Sequence, residues 1–266
     1  MELIDVHAHF FPDNIAKNSI EFLEKEAKIK AYGAGTAASL RESMKRDGVT
    51  LSINAPVATK KEQVRGINRK MIEFNKTGRD IICFGGMHPD FAEIGNVEEE
   101  IAFLSANGIK GIKLHSEYQN FNPDEDRAWP IYEACLKHNL IILFHAGVDF
   151  AYETLVRATP ERLKKIVTLP GLKTILAHFG SYRMWDEVLK HLAGTPAYFD
   201  TAYTAELPEE MCRALIKSHG EDRILFGTDF PWQTAPMIRE MLERAVADKE
   251  VLEKIYYKNA KKLLGL

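Results

Sequence analysis

The sequence has few cysteines, no long apolar run and no tract of like charges. Its three cysteines, Cys83, Cys135 and Cys212, are scattered without C-x-x-C spacing, which argues against a disulfide framework or a cysteine-ligated zinc. No run approaches the ~18 apolar residues of a membrane span, and the chain does not begin like a signal peptide. The formal net charge is -3 without a basic patch, so nothing favours nucleic acid or an anionic membrane. We therefore expect a reduced, cytoplasmic protein.

Short apolar runs alternate with longer amphipathic segments along all 266 residues, with no linker rich in glycine, serine or proline. The alternation predicts parallel strands separated by helices, and about eight repeats in this length predict a single α/β domain over 1–266, a (β/α)8 TIM barrel. An open doubly wound sheet is the alternative. The segment 12–48 is longer than one crossover helix, so we expect it to form a lid or wall over a site. The predicted strands are 3–10, 49–56, 80–87, 109–116, 140–147, 172–179, 197–203 and 223–230, and clear helical patterns cover 98–108, 128–139 and 209–220.

Five of the nine histidines, together with one aspartate, fall at the carboxyl ends of predicted strands. They are His7 and His9 on the first strand, His115 on the fourth, His145 on the fifth, His178 on the sixth and Asp229 on the eighth. All strands of a (β/α)8 barrel finish at the same rim, where catalytic residues sit, so we expect these side chains to converge. His138, His191 and His219 end predicted helices instead, where we expect them to be exposed.

The first two histidines form an H-x-H pair in the opening MELIDVHAHFFPDN. Residues i and i+2 of a strand point to the same face, so both imidazoles of His7 and His9 project together. Such a pair suits a transition metal and is an odd choice for a core, because each ring carries polar atoms that need partners. H-x-H pairs also arise by chance, so the pair alone leaves both interpretations open.

The segments HAHFFP, LFHAG, LAHFG and FGTDFPW, in this order and spacing, resemble the amidohydrolase superfamily. They are most similar to its amidohydrolase-related branch, which also contains metal-dependent decarboxylases, and the resemblance runs nearly end to end. It implies that His7, His9 and His145 are imidazole ligands of one divalent metal ion and that Asp229 is a carboxylate ligand. It also implies that His178 is an acid–base residue near the substrate.

The implied ligand set agrees with elementary metal chemistry. Three imidazoles and one carboxylate suit Zn2+, with Mn2+ or Fe2+ as alternatives. Water bound to such an ion has its pKa lowered to about 7, so hydroxide becomes available at neutral pH. Asp229 would accept the proton of that water, and His178 would polarise a carbonyl group or protonate a leaving group.

Lys113, in GIKLH, is predicted to point into the barrel. Burying an unpaired ammonium is costly, so the side chain needs a partner. It would pair with a substrate carboxylate, be carbamylated and bridge two metals as in binuclear members of the superfamily, or pair with a buried acid such as Asp200. TatD-like nucleases, which share the H-x-H pair, carry a glutamate on the corresponding fourth strand. This chain does not, which favours a single metal.

Three further residues are predicted to contact the substrate. His115 lies at the rim, Arg183 follows His178 and could meet an anion, and Trp232 follows a strand end. Each has a structural alternative: a rim residue bonded to loops, a solvated charge at a helix start, and a packed aromatic ring.

The resemblance implies an enzyme that acts on a small molecule. The compact chain favours a metal-dependent hydrolase that uses activated water on an ester, lactone, amide or cyclic amide. A metal-dependent non-oxidative decarboxylase of an aromatic or unsaturated acid is the alternative, and a binding barrel with a vestigial site is a third possibility. A homodimer is the commonest assembly for such barrels.

Overall fold

Parallel strands and helices alternate along the chain in the computed structural model, which describes residues 2–152 and 154–266. The strands are short, apolar and almost wholly buried, as is typical of parallel strands covered on both faces. They are β1 Ile4–Ala8, β2 Leu51–Asn54, β3 Ile81–Cys83, β4 Gly85–Gly86, β5 Gly111–Leu114, β6 Ile141–Phe144, β7 Thr174–Leu176, β8 Tyr198–Asp200 and β9 Ile224–Leu225.

The helices lie between these strands and after the last of them. They are α1 Asp13–Ala27, α2 Ala37–Asp47, α3 Val64–Thr77, α4 Val97–Ala106, α5 Trp129–Lys137, α6 Pro160–Val167, α7 Trp185–His191, α8 Glu209–His219, α9 Ala235–Ala245, α10 Lys249–Glu253 and α11 Asn259–Leu264. The three helices predicted from the sequence are therefore present as α4, α5 and α8. No helix within 2–152 or 154–266 combines the length and apolarity that a bilayer crossing requires.

The strands close into a barrel. Neighbouring strands pair in chain order from β1 to β3 and from β4 to β9, all in parallel. β3 and β4 are two parts of one barrel strand that is interrupted at Phe84. The last strand returns to the first, because Val6 donates its N–H to the carbonyl of Phe226 at 2.9 Å and Ala8 bridges to Phe230. The (β/α)8 TIM barrel is confirmed, and the open sheet is excluded.

Alternation along the strands decides which side chains enter the barrel. On β5 and β6, Lys113 pairs in register with Leu143, and His145 follows two residues later, so all three point inward. Ile112 and Phe144 alternate with them and pack outward into the helix-covered core. The predicted inward orientation of Lys113 follows from this register.

The segment between β1 and β2 forms a wall at the barrel mouth. α1 packs against the short 3-10 turn Phe150–Tyr152, and its side chains line the cavity described below. α2 is capped at its N-terminus by Thr36, whose hydroxyl accepts the N–H of Ser39, and at its C-terminus by Gly48 in the left-handed region. The lid or wall predicted for 12–48 is thus present as a helical wall.

One histidine differs from expectation. His138 and His191 are partly exposed at their helix ends, but His219 is only 3% exposed. Its ring stacks on Phe199 with the centroids 3.6 Å apart, and Nε2 donates to the carbonyl of Ala197 at 2.8 Å. The prediction of exposure is wrong for His219, because the last turn of α8 lies against β8.

Candidate metal centre

The carboxyl ends of the strands open into a cavity of 810 Å³. All but one of the predicted site residues line it; they are His7, His9, Lys113, His115, His145, His178, Asp229 and Trp232. The exception is Arg183, which is exposed and lies outside the lining. Its guanidinium stands over the rings of Phe150 and Tyr182, which do line the cavity, at 4.9 and 5.3 Å. The barrel therefore brings together side chains from both ends of the chain.

Three donor atoms converge at one side of this cavity. Nε2 of His9 lies 3.0 Å from Oδ1 of Asp229 and 3.1 Å from Nε2 of His7, and Nε2 of His7 lies 3.6 Å from the same Oδ1. Metal–ligand bonds of about 2.0–2.2 Å at tetrahedral or octahedral angles separate neighbouring ligand atoms by about 2.8–3.6 Å. The observed separations match this range closely, so His7, His9 and Asp229 fit a divalent transition metal.

The electrostatics of the three residues also suit a cation. Burial holds the pKa of His7 well below its usual value, and the nearby Lys113 lowers it further. Burial alone would raise the pKa of Asp229, but the adjacent His7 and His9 outweigh it and hold that pKa well below its usual range. A neutral imidazole at His7 beside an ionised carboxylate at Asp229 gives the protonation states that metal binding requires of these two residues.

A buried acid behind His7 fixes the orientation of its ring. Oδ2 of Asp200 accepts a hydrogen bond from Nδ1 of His7 at 2.8 Å, and Oδ1 accepts from the backbone N–H groups of His178 and Ala202. With its proton on Nδ1, His7 presents an unprotonated Nε2 to the cavity. From the sequence alone, Asp200 is expected only as a partner of Lys113. Asp200 lies in the middle of the predicted strand 197–203 but at the end of the observed β8, which is why the structure places it at the site.

Lys113 is the buried cation of the site. It is 1% exposed, and its Nζ donates to Nε2 of His7 at 3.0 Å. Burial lowers its pKa to about 8, with Asp229, Asp200 and Asp149 opposing that change. Within the described part of the chain Lys113 forms no ion pair, and the pair with Asp200 is not found.

His145 lies beside His178 and outside the group of three donors. Nδ1 of His145 is 3.2 Å from Nε2 of His178, whose Nδ1 donates to the carbonyl of Ala202 at 2.7 Å. Nε2 of His145 is buried and has no hydrogen-bond partner among residues 2–152 and 154–266. The structure thus places three of the four implied ligands together and leaves the fourth nearby with an unpartnered nitrogen.

A second polar group adjoins the first. His115, His145 and Asp149 bring potential donor atoms within 4.8 Å of one another. The rings of His115 and His145 are stacked, with centroids 4.0 Å apart and planes at 7°. The in-plane lone pairs of two stacked rings lie in separate parallel planes and cannot both be aimed at one ion, so this group is less suited to sharing one ion than to binding a substrate through hydrogen bonds.

Two acids that the sequence patterns do not single out flank the ring of His115. Asp149 lies 3.3 Å from Nε2 of its ring, and Glu117 lies 3.6 Å from Nδ1. Burial raises the pKa of Glu117 to about 7, and Arg157 and Ala158 donate backbone N–H groups to its Oε1. These acids lie in loops after the strands, where periodicity carries no signal.

Comparisons with known proteins agree with this geometry. A family model described as Amidohydrolase matches residues 4–266. No curated protein matches the sequence. The fold is similar to that of 5-carboxyvanillate decarboxylase LigW from Sphingomonas paucimobilis, with 13% identity and a TM-score of 0.72, over 100% of this chain and 99% of the other.

Two further solved structures are similar. A dihydroxybenzoic acid decarboxylase from Polaromonas sp. JS666, with bound manganese and the inhibitor 2-nitroresorcinol, has 18% identity and a TM-score of 0.74 over 100% of this chain and 97% of its own. A protein of Acinetobacter baumannii, named as a probable 2-pyrone-4,6-dicarboxylic acid hydrolase, has 16% identity and a TM-score of 0.70 over 100% of both chains. At these identities the structural likeness shows the fold alone. The family match spans nearly the whole sequence, and the chain therefore belongs to the amidohydrolase family of enzymes.

Proposed function

We propose that this protein is a metal-dependent non-oxidative decarboxylase of an aromatic or unsaturated carboxylic acid. The observation that carries the proposal is Lys113, a buried ammonium in the wall of the cavity that forms no ion pair within the described residues. A substrate carboxylate would supply the missing negative charge. Two of the three similar structures named above are decarboxylases of aromatic acids.

Chain length no longer favours the hydrolase that the sequence analysis put first. The decarboxylases align over 99% and 97% of their own chains, so the compact chain is not short for that activity. The hydrolase remains the second candidate, since one similar structure carries the name of a pyrone hydrolase.

We assign the metal to His7, His9 and Asp229, with His145 as the fourth ligand implied by the family resemblance. An unpartnered Nε2 on His145 supports that assignment, because a buried nitrogen without a partner is costly. Zn2+, Mn2+ and Fe2+ all suit such donors, and one similar structure holds manganese. When bound, the ion supplies positive charge that binds substrate oxygens and stabilises the negative charge formed in the reaction.

The chain's own residues supply binding and proton transfer. Decarboxylation breaks the bond between the carboxyl carbon and its neighbour, releases CO2 and leaves an electron pair that a proton must neutralise. Asp229, whose pKa is held well below its usual range, is ionised and cannot donate that proton. Nδ1–H of His178 is bonded to a carbonyl, so its Nε2 faces the site. The imidazolium form of His178, protonated at both nitrogens, would deliver the proton from Nε2 and return to the neutral ring.

A panel of acids and a pair of lysine variants test the proposal. Metal-loaded protein should release CO2 from hydroxybenzoic or enoic acids without consuming water. Lys113→Met should lower kcat/KM by about 100-fold or more, because the substrate carboxylate loses its buried partner. Lys70→Met, at an exposed lysine that also lines the cavity, should change it less than about threefold. Turnover of lactones and pyrones, with no acid decarboxylated, would instead establish the hydrolase.

A further inference from the structure

The part of the cavity lined by α1 and α3 is mostly apolar, although the end at the strand termini is rich in histidine and aspartate. It lies between α1 on one side and α3 on the other. Its apolar lining residues, which we call the vestibule, are Phe11, Ile15, Phe22, Leu23, Ile67 and Met71.

One face of α1 supplies much of the vestibule. Ile15, Phe22 and Leu23 recur at helical spacing and line the cavity, whereas Ala16 and Ile20 form a separate stripe that is buried against the protein. Ile15 is 44% exposed and Phe22 is 58% exposed. Large apolar side chains left in water over an open cavity indicate a surface that a ligand covers.

The size of the cavity points to the same conclusion. Ligand pockets of about 300–1,000 Å³ enclose most of a drug-sized molecule. At 810 Å³ this cavity is near the upper end of that range. A single-ring acid held at the histidines would leave the vestibule filled with water.

The charged residues that line the cavity are distributed unequally between its histidine end and the vestibule. The carboxylates among the lining residues are Asp149 and Asp229, both at the histidine end. The side of the vestibule formed by α1 and α3 contributes one charged lining residue, Lys70, which is exposed at the rim. An uncharged group can therefore enter the vestibule without leaving an acid or an ammonium unpaired.

We propose that the vestibule binds an uncharged apolar extension of the substrate. The substrate class is then an aromatic carboxylic acid that carries a long alkyl or aryl substituent opposite its carboxylate. The carboxylate end of this assignment rests on the proposed function above, whereas the apolar end rests on the vestibule alone.

A homologous series of ligands tests the proposal by binding rather than by turnover. Dissociation constants are measured by calorimetry for 4-n-alkylbenzoic acids from methyl to octyl with the metal-loaded protein. Burial of each added methylene should tighten binding about threefold to fourfold. Phe22→Asp should flatten this dependence, and Leu23→Ser should reduce it. A wild-type affinity that does not change with chain length would overturn the proposal.

The matched control is Phe103→Asp. Phe103 is 41% exposed on α4 and does not line the cavity, so the same substitution there should leave the chain-length dependence unchanged. Circular dichroism checks that all three variants are folded. Equal flattening by Phe103→Asp and Phe22→Asp would show a nonspecific effect and overturn the assignment to α1.

Two further measurements separate this proposal from others. The 4-n-alkylbenzyl alcohols lack the carboxylate, so a chain-length dependence in this series supports the vestibule even if no acid is decarboxylated. If the protein decarboxylates acids but its affinity does not change with chain length in either series, the proposed function stands and the vestibule proposal is overturned. Sedimentation would reveal a second copy on the α1 face: a wild-type dimer that Phe22→Asp converts to monomer, with flat dependence, overturns the proposal.

Discussion

His7 contacts both the other proposed metal ligands and the buried acid that orients its ring. Its Nδ1 donates to buried Asp200, and its Nε2 faces His9 and Asp229. Nζ of Lys113 reaches the same Nε2, so the proposed metal-binding atom of His7 also lies within hydrogen-bond distance of the buried lysine. The acid behind the ring increases the basicity of Nε2 and fixes its direction, which is the usual role of a carboxylate behind a metal-bound histidine.

A different buried histidine makes the stability of the protein depend on pH. Burial lowers the pKa of His219 to about 4, against an opposing hydrogen bond to Ala197. Between pH 6.5 and 4 the unfolded chain therefore binds a proton that the folded protein does not, so stability falls as pH falls. We expect the free energy of unfolding to drop by about 2 kcal/mol from pH 7 to pH 5 through this residue. Urea unfolding of wild type and His219→Gln at both pH values measures this contribution. The drop in the free energy of unfolding should be about 2 kcal/mol smaller in the variant, which keeps the contributions of other buried groups such as His7.

His191→Gln is the control for that measurement, because His191 is partly exposed at the end of α7 and pairs with Glu187. This variant should keep the full pH dependence of the wild type. If His219→Gln also keeps it, the buried ring is not its source.

At the scale of residues, the sequence predicted which side chains lie at strand ends, but it did not predict which residues contact them. The rule that parallel strands finish at one rim was enough to bring His7 and Asp229 together from opposite ends of the chain. It could not rank Asp149 or Glu117, which lie in loops after the strands and owe their roles to loop conformation. The expectation that His219 is exposed was wrong, because a helix-end histidine is exposed only when the last turn faces water.

At the scale of elements, apolar runs predicted all eight barrel strands, with ends that differ by a few residues. The third predicted strand, 80–87, is the least regular, because it forms two short pieces around Phe84. Both ladders persist there, as β3 pairs with β2 and β4 pairs with β5. Hydrophobic periodicity cannot detect such an interruption, since the residues on both sides of it stay apolar and buried.

The junction after β6 depends on a glycine. Gly147 has φ +89°, and a Cβ there would stand 2.3 Å from the backbone nitrogen of Tyr182. Gly147→Ala should therefore separate the two strand ends that carry His145 and His178, and lower the free energy of unfolding by at least about 3 kcal/mol. Chemical unfolding measures the loss, and failure to recover folded protein would agree with it.

Gly48→Ala is the matched control for this substitution. Gly48 also has a positive φ, +75°, but a Cβ there would meet nothing within 4 Å. It should cost only the strain of the left-handed backbone, about 1–2 kcal/mol. Equal losses in the two variants would mean that the close approach to Tyr182 contributes nothing.

At the scale of the whole molecule, the barrel makes the site out of residues that no local segment contains. The fold and the family followed from alternation and four short motifs, but the exact placement of His145 did not, because it depends on side-chain rotation. The structure leaves it stacked on His115, beside the three converged donors, and its Nε2 has no hydrogen-bond partner in the described part of the chain.

Metal binding should consequently stabilise the whole barrel. The donors of His7, His9 and Asp229 meet only when the first and last strands close, so an ion binds the folded chain far better than the unfolded one. At an ion concentration about 100 times Kd, the gain is about 2.7 kcal/mol, or a rise in Tm of roughly 5–10 °C for a chain of this size. Calorimetry after chelation and after return of Mn2+ or Zn2+ measures the shift. His9→Ala should abolish it and His191→Gln should preserve it, whereas an equal shift in wild type and His9→Ala would place the ion elsewhere.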